Sequence, residues 1–146
     1  MASGSSFKRF IYAFIAGFIA TLVFHQGMLA LLYAIGFTAR APFPLQPSKP
    51  FHLPVIWSLA FWGGVWGLIF AAVDRHFPRG IRYWFWTLVF GALAPTLVAW
   101  LLVAALKGQP LGGGWKWSVV ITGLLVNGAW GLGTALLLRA FYRSPK

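Results

Sequence analysis

The sequence predicts an all-α integral membrane protein, a polytopic four-helix bundle that forms a single transmembrane domain over residues 1–146. Of the 146 residues, 60% are hydrophobic and only 9% are charged, whereas a soluble domain carries about 25% charged residues. The apolar residues are grouped into four stretches, each near the roughly 20 residues that cross a bilayer core. Approximate bounds of these stretches are 10–35, 53–73, 83–106 and 117–138.

The first stretch begins after Lys8 and Arg9 and is followed by Ala39-Arg40-Ala41, a combination that also occurs in secretory signal peptides. Signal peptides have an apolar region of about 7 to 15 residues, and this stretch is longer. We therefore expect an uncleaved first helix.

The loop between the first and second stretches is stiffened by five prolines between Ala41 and Pro54. Prolines in such number favour extended backbone. The same loop carries Phe43 and Leu45, which suggests that it rests on the bundle or on a partner. It is either a lid over the mouth of the bundle or only a connector.

The third stretch contains Pro95, which removes one helical hydrogen bond and predicts a kink. Beside Thr96, such a kink could also open a pocket. The fourth stretch repeats the second at an ungapped offset of 64 residues, so that GVWGL at residues 64–68 matches GAWGL at residues 128–132. The first and third stretches match more weakly, through TLV at residues 21–23 and 96–98. The pattern predicts two tandem helical hairpins related by a pseudo-two-fold axis along the membrane normal.

The basic residues give a formal net charge of +11 and lie in short clusters beside the apolar stretches. Such clusters favour anionic lipid headgroups as partners and argue against nucleic acid. An excess of Lys and Arg marks the cytoplasmic side, which predicts that both termini and the second loop are cytoplasmic. Eight of the twelve basic residues lie there: Lys8, Arg9, Arg75, Arg79, Arg82, Arg139, Arg143 and Lys146.

Small residues at i, i+4 spacing predict the faces where helices meet, because close packing drives helix association in lipid. The second and fourth stretches show this spacing at Gly63, Gly67, Gly123 and Gly131. In the first stretch the same stripe includes Gly17 and Thr21. We expect these faces to meet in the centre of the bundle.

Four polar residues near the middle of the stretches are the candidate functional site: His25, Gln26, Thr96 and Asn127. Polar groups at such depth face the protein interior and indicate function by default. Two interpretations remain open. The cluster is either a ligand site or a hydrogen bond between helices, such as one from Asn127 to His25 or Gln26. His25 could also hold a haem or a chlorophyll-type pigment.

Catalysis is not expected, because the chain has no cysteine and its one acidic residue is Asp74. Acid–base pairs and carboxylate-bound metals need several such groups. We expect Asp74 to pair with Arg75 or Arg79 at the surface. We predict no metal or cofactor site.

Three segments carry a resemblance to a known group of proteins: GFIATLVFHQG at residues 17–27, APFP at 41–44 and FWGGVWG at 61–67. In these segments the chain resembles uncharacterised small four-helix integral membrane proteins of proteobacteria. The resemblance implies a bacterial inner membrane and carries no activity.

Three functions remain open. The first is a non-enzymatic accessory or assembly subunit of a membrane complex, or a homo-oligomer. The second is a small transporter or channel with the polar cluster at its midplane. The third is a bundle that binds a lipid, quinone or pigment.

Overall fold

The structure is a computed structural model that describes residues 2–143 and is an all-α four-helix bundle, as predicted. The first helix comprises Ala2–Ala20, a π-helical segment Thr21–His25 and Gln26–Ala34. The second comprises Val55–Val73 and a 3-10 turn, Asp74–His76. The third comprises Ile81–Leu97, a π-helical segment Val98–Val103 and Ala104–Leu106, and the fourth is Trp117–Arg143.

Each of the four helices is long and apolar enough to cross a membrane, with spans of 31, 22, 26 and 27 residues. The first helix begins before the predicted residue 10, and the fourth continues past the predicted residue 138. Hydropathy marks the apolar part of a helix, whereas the backbone hydrogen bonds continue through the polar residues at its ends. Lys146, which we assigned to the cytoplasmic side, lies outside the described residues.

The third helix continues through Pro95, and the backbone then changes to the π-helical segment Val98–Val103. Proline lacks the N–H that would close the ordinary helical turn, and π-turns are one way in which a helix absorbs such a local change.

The helices form two antiparallel hairpins, the first with the second and the third with the fourth. The two hairpins pack against each other through the first and fourth helices. A buried core of alanines and larger apolar side chains lies between them, including Ala13, Ala16, Phe70, Trp130 and Leu138. A smaller group, Leu29, Leu32 and Val126, joins the first and fourth helices farther along.

Glycines allow the helices within each hairpin to pack closely. A Cβ atom at Gly17 would overlap the carbonyl oxygen of Gly63 and stand 3.0 Å from the Cα of Gly67. In the second hairpin, a Cβ atom at Gly91 would stand 2.6 Å from the carbonyl oxygen of Asn127 and 2.8 Å from the Cα of Gly131. Gly67 and Gly131 are 64 residues apart, as are Gly63 and Asn127. The two hairpins therefore pack in the same register along the predicted repeat.

The loop between the first two helices is folded against the start of the second helix. Its two-residue strands Pro47–Ser48 and Leu53–Pro54 pair antiparallel. The carbonyl oxygens of Gln46 and Pro44 accept hydrogen bonds from Val55 and Ile56, each at 3.0 Å. These bonds satisfy donors that a helix N-terminus leaves unpaired.

Candidate functional site

The predicted polar cluster is divided into two separate pairs. Among the described residues, no hydrogen bond joins His25 and Gln26 to Thr96 and Asn127. Asn127 does form a hydrogen bond between helices, but its partner is Thr96 and not His25 or Gln26, which the sequence offered as examples. The physical reason is the packing within hairpins: Asn127 follows the face of the fourth helix that meets the third helix, while His25 and Gln26 lie on the first.

The first pair, His25 and Gln26, holds the proline-rich loop between the first and second helices. Gln26 is fully buried, and its Oε1 accepts a hydrogen bond of 2.6 Å from the backbone N–H of Phe43. Phe43 has a positive φ of 52°, a backbone conformation that non-glycine residues seldom adopt. A buried side chain within the first helix thus holds a strained loop residue in place.

The orientation of the Gln26 amide also determines which ring nitrogen of His25 carries the proton. Because Oε1 faces the Phe43 N–H, the other end of the amide, Nε2, lies 3.0 Å from Nδ1 of His25. An amide nitrogen can only donate, so Nδ1 must accept, and a neutral imidazole then carries its proton on Nε2. In this arrangement neither ring nitrogen has a free lone pair for a metal.

The second pair bridges the third and fourth helices. Asn127 donates from Nδ2 to the Thr96 hydroxyl at 2.8 Å, and that hydroxyl donates to the Gly123 carbonyl oxygen at 3.4 Å. The amide, the hydroxyl and the carbonyl thus form a short chain of hydrogen bonds. Such a chain holds two helices in one register.

The corresponding position in the first hairpin is filled differently. Gly63 takes the place of Asn127 in the repeat, and a Cβ atom there would overlap the Thr21 hydroxyl. Thr21 instead donates to the Gly17 carbonyl oxygen in its own helix at 2.9 Å. Thr21 and Thr96 are the threonines that the weak TLV match aligns. Each hairpin therefore places a threonine against the matched position of its second helix, Gly63 in one hairpin and Asn127 in the other.

The packing glycines lie at helix contacts, but they do not converge on one centre. Gly63 and Gly67 contact the first helix, Gly131 contacts the third, and Gly123 faces the ring of Trp100. The expectation that these faces meet in the middle of the bundle is therefore wrong. Each stripe is used within its own hairpin because a glycine lets two backbones approach only where both surfaces are small.

Trp130 makes a buried polar contact between the hairpins. Its indole N–H donates to the Gly17 carbonyl oxygen at 3.1 Å, and the side chain is 3% exposed. Sequence reasoning did not single out Trp130 for this role or Gly91 for packing. The match of Trp66 to Trp130 in the repeat was the available signal.

Asp74 pairs with Arg9 of the first helix rather than with Arg75 or Arg79. Arg9 also donates to the Ala71 carbonyl oxygen at 3.0 Å, and the Tyr83 hydroxyl donates to Asp74 at 3.2 Å. The expectation of a pair within the second loop is wrong, because the hairpin register brings Arg9 next to the end of the second helix. The sequence did indicate this pair, because Arg9 precedes the first apolar stretch and Asp74 directly follows the second.

Two cavities lie at opposite ends of the bundle. One, of about 410 Å³, is lined by the proline-rich loop from Arg40 to Gln46 and by Val55. The other, of about 280 Å³, lies beside Arg9, Asp74 and Arg139. Among residues 2–143, no three His, Cys, Asp or Glu side chains are grouped to hold a metal ion.

The chain is thus a multi-pass, all-α membrane protein of the four-helix-bundle class, built from two hairpins that pack alike. No family model matches it, and neither the curated proteins nor the solved structures include a match.

Proposed function

We propose that this protein is a non-enzymatic subunit of the bacterial inner membrane that acts by lateral association, either as an accessory subunit of a membrane complex or as a homo-oligomer. The observation that carries the proposal is an aromatic surface on the outside of the first hairpin. Ring contacts of 5.6 to 6.2 Å join its five members. We call this set the first-hairpin aromatic surface: Phe14, Phe18, Trp57, Phe61 and Trp62.

Trp62 is the most informative member of this surface. Its side chain is 58% exposed, and its indole N–H has no acceptor among the described residues. Counting about 1.5 Å per residue from the middle of the second span, Trp62 lies only about 5 Å from the midpoint. Tryptophan prefers the membrane interface, and an unpaired donor in hydrocarbon is costly. A neighbouring protein with a carbonyl or hydroxyl acceptor would remove that cost.

A second Phe-Trp pair has nearly the same shape but a different depth. Phe85 and Trp86 are 59% and 45% exposed, and their rings meet at 5.8 Å, as against 5.6 Å for Phe61 and Trp62. Trp86 lies about 11 Å from the middle of the third span. At that depth the headgroup region can accept a hydrogen bond from the indole, so Phe85 and Trp86 fit membrane anchoring.

The interior favours a structural role over a transport pathway or a pigment site. Thr96 and Asn127 hydrogen-bond each other, and Gly91 and Gly131 leave no room for a methyl group between them. The Nδ1 atom of His25 is engaged by Gln26. These contacts give neither the transporter nor the pigment alternative an observation in its favour.

The orientation is part of the same proposal. Arg9 and Arg139 line one end of the bundle together with Arg75 and Arg79 of the second loop. Positive residues concentrate on the cytoplasmic side, which supports cytoplasmic termini.

The experiment is site-specific photo-crosslinking in intact cell membranes. A photoreactive phenylalanine analogue replaces Phe61 in one variant and Phe85 in another. The two positions match in residue type, exposure and neighbouring tryptophan, so Phe85 controls for random encounters. We expect a discrete crosslinked protein band from position 61, either a second copy of the chain or another membrane protein, and only lipid adducts from position 85.

Lipid adducts alone at both positions would overturn the proposal. Equal protein crosslinking from both positions would also overturn it, because the first-hairpin aromatic surface would then have no preference over an anchoring site.

A further inference from the structure

A basic cavity of about 280 Å³ lies where the described ends of the first and fourth helices meet the second loop. Four arginines from three parts of the chain line it: Arg9, Arg75, Arg79 and Arg139. One carboxylate, Asp74, faces them. Four positive charges against one negative leave an excess of three, and such an excess in a concave site attracts an anion.

Two of the arginines are already positioned. Arg9 uses one guanidinium nitrogen for both Asp74 and the Ala71 carbonyl oxygen. The guanidinium of Arg139 lies 3.9 Å from the ring centroid of Tyr83. Stacking on a ring engages the face of a guanidinium and leaves its in-plane N–H donors available.

The other two arginines have no partner. The guanidinium groups of Arg75 and Arg79 form neither a hydrogen bond nor an ion pair with any described residue, since the ion pair found among residues 2–143 is Arg9 with Asp74. Both side chains belong to exposed residues at the rim. The cavity therefore combines positioned donors on its walls with unpaired donors at its opening.

We propose that this cavity binds a phosphate group, and that the phosphate is that of an anionic phospholipid headgroup. Arginine is suited to this ligand because its planar fork of N–H groups matches two phosphate oxygens at once. The volume is close to the lower limit of about 300 Å³ for small-molecule sites, which suits one phosphate group rather than a large ligand. The proposal does not depend on lateral association through the first-hairpin aromatic surface.

The lining favours a lipid over a free phosphate ion. Phe77, Leu138 and Tyr142 contribute apolar surface beside the arginines. Leu138 and Tyr142 belong to a membrane-crossing helix, so acyl chains can continue along it. A free phosphate would gain nothing from these side chains.

The test uses the full chain, stripped of lipid in a neutral detergent, where no charged membrane surface attracts ligands. Phosphatidylglycerol and, separately, phosphatidylcholine are added, and bound lipid is counted by native mass spectrometry. A third arm measures thermal unfolding with added inorganic phosphate. The variant is Arg75→Gln with Arg79→Gln, which leaves the contacts of Arg9, Asp74 and Arg139 intact.

The control is Arg82→Gln with Arg143→Gln. It removes the same charge from the same end of the bundle, but neither residue lines the cavity. We expect the wild type and the control to bind one phosphatidylglycerol in preference to phosphatidylcholine. The cavity variant should bind it about tenfold or more weakly, because charge-assisted hydrogen bonds are lost.

If phosphatidylglycerol is not retained, but phosphate raises the unfolding temperature of the wild type and the control and not of the cavity variant, the site is real and its phosphate comes from solution. Absence of both effects would overturn the proposal. So would equal effects in the cavity variant and the control, because binding would then follow net charge alone.

Discussion

The indole N–H of Trp130 donates a hydrogen bond to the backbone carbonyl oxygen of Gly17, 3.1 Å away. Gly17 also packs tightly between the first and second helices, since a Cβ atom there would overlap the Gly63 carbonyl oxygen. One residue thus serves both the contact within the first hairpin and the contact between hairpins. The Tyr83 hydroxyl, which donates to Asp74, is a second polar contact between the hairpins.

Replacing Trp130 by phenylalanine should destabilise the protein by about 1 kcal/mol, because the Gly17 carbonyl oxygen loses its donor from the neighbouring helix. Trp66→Phe is the matched control. It occupies the same position in the repeat, and its indole N–H has no hydrogen bond with a described residue. The free energy of unfolding of both variants is measured in mixed detergent micelles. Equal losses of stability in the two variants would show that the contact depends on the indole ring and not on its hydrogen bond.

Gly91→Ala should destabilise the second hairpin by about 1–3 kcal/mol, the usual cost of overpacking. The new methyl group would meet backbone atoms at 2.6 and 2.8 Å, and backbone cannot move aside as a side chain can. Gly27→Ala serves as the control, since nothing lies within 4 Å of its added methyl. It should be neutral or stabilising by up to about 1 kcal/mol, because alanine favours helix. A thermal unfolding series that finds the two variants alike would contradict the tight contact.

A double-mutant cycle can test the division of the polar residues into two pairs. Thr96→Val and Asn127→Leu should couple by about 1 kcal/mol, within the range of hydrogen bonds between membrane helices. Thr96→Val and Gln26→Leu should be additive within about 0.5 kcal/mol, because they share no partner. Similar coupling in both cycles would restore the single cluster that the sequence suggested.

Gln26→Leu should release the proline-rich loop without unfolding the bundle. Its Oε1 is the acceptor for the Phe43 N–H, so we expect amide exchange at Phe43 to speed up by about fivefold, as for the loss of one hydrogen bond. Gln46→Leu is the control in the same loop, since the contact there is made by the backbone carbonyl. Unchanged exchange in the Gln26 variant would mean that the strand pairing alone holds the loop.

The fold could be predicted because hydropathy reports directly on membrane-crossing length, and the structure has the four apolar helices that were predicted. The offset of 64 residues likewise indicated that Gly67 and Gly131 are used alike, and both contact the preceding helix of their own hairpin. Polar partners were harder to predict. Asn127 could reach any of three helices by depth alone, and the choice of Thr96 follows from how the hairpins pack.

Asp74 illustrates the same limit. Proximity in sequence favoured Arg75 and Arg79, but side chains next to each other along a helix end point apart. The antiparallel register supplied Arg9 instead. To predict the partner of Asp74, one needs to know which helices pack against each other. Periodic small residues do not give that information, because every helix of the bundle has them.

The most direct test of lateral association is native mass spectrometry of the protein extracted gently from its own membrane. We predict a complex, either with an unrelated membrane protein or with further copies of the chain. Trp62→Leu should weaken this complex, whereas Trp86→Leu should not. A strictly monomeric wild-type particle in native lipid would contradict the account.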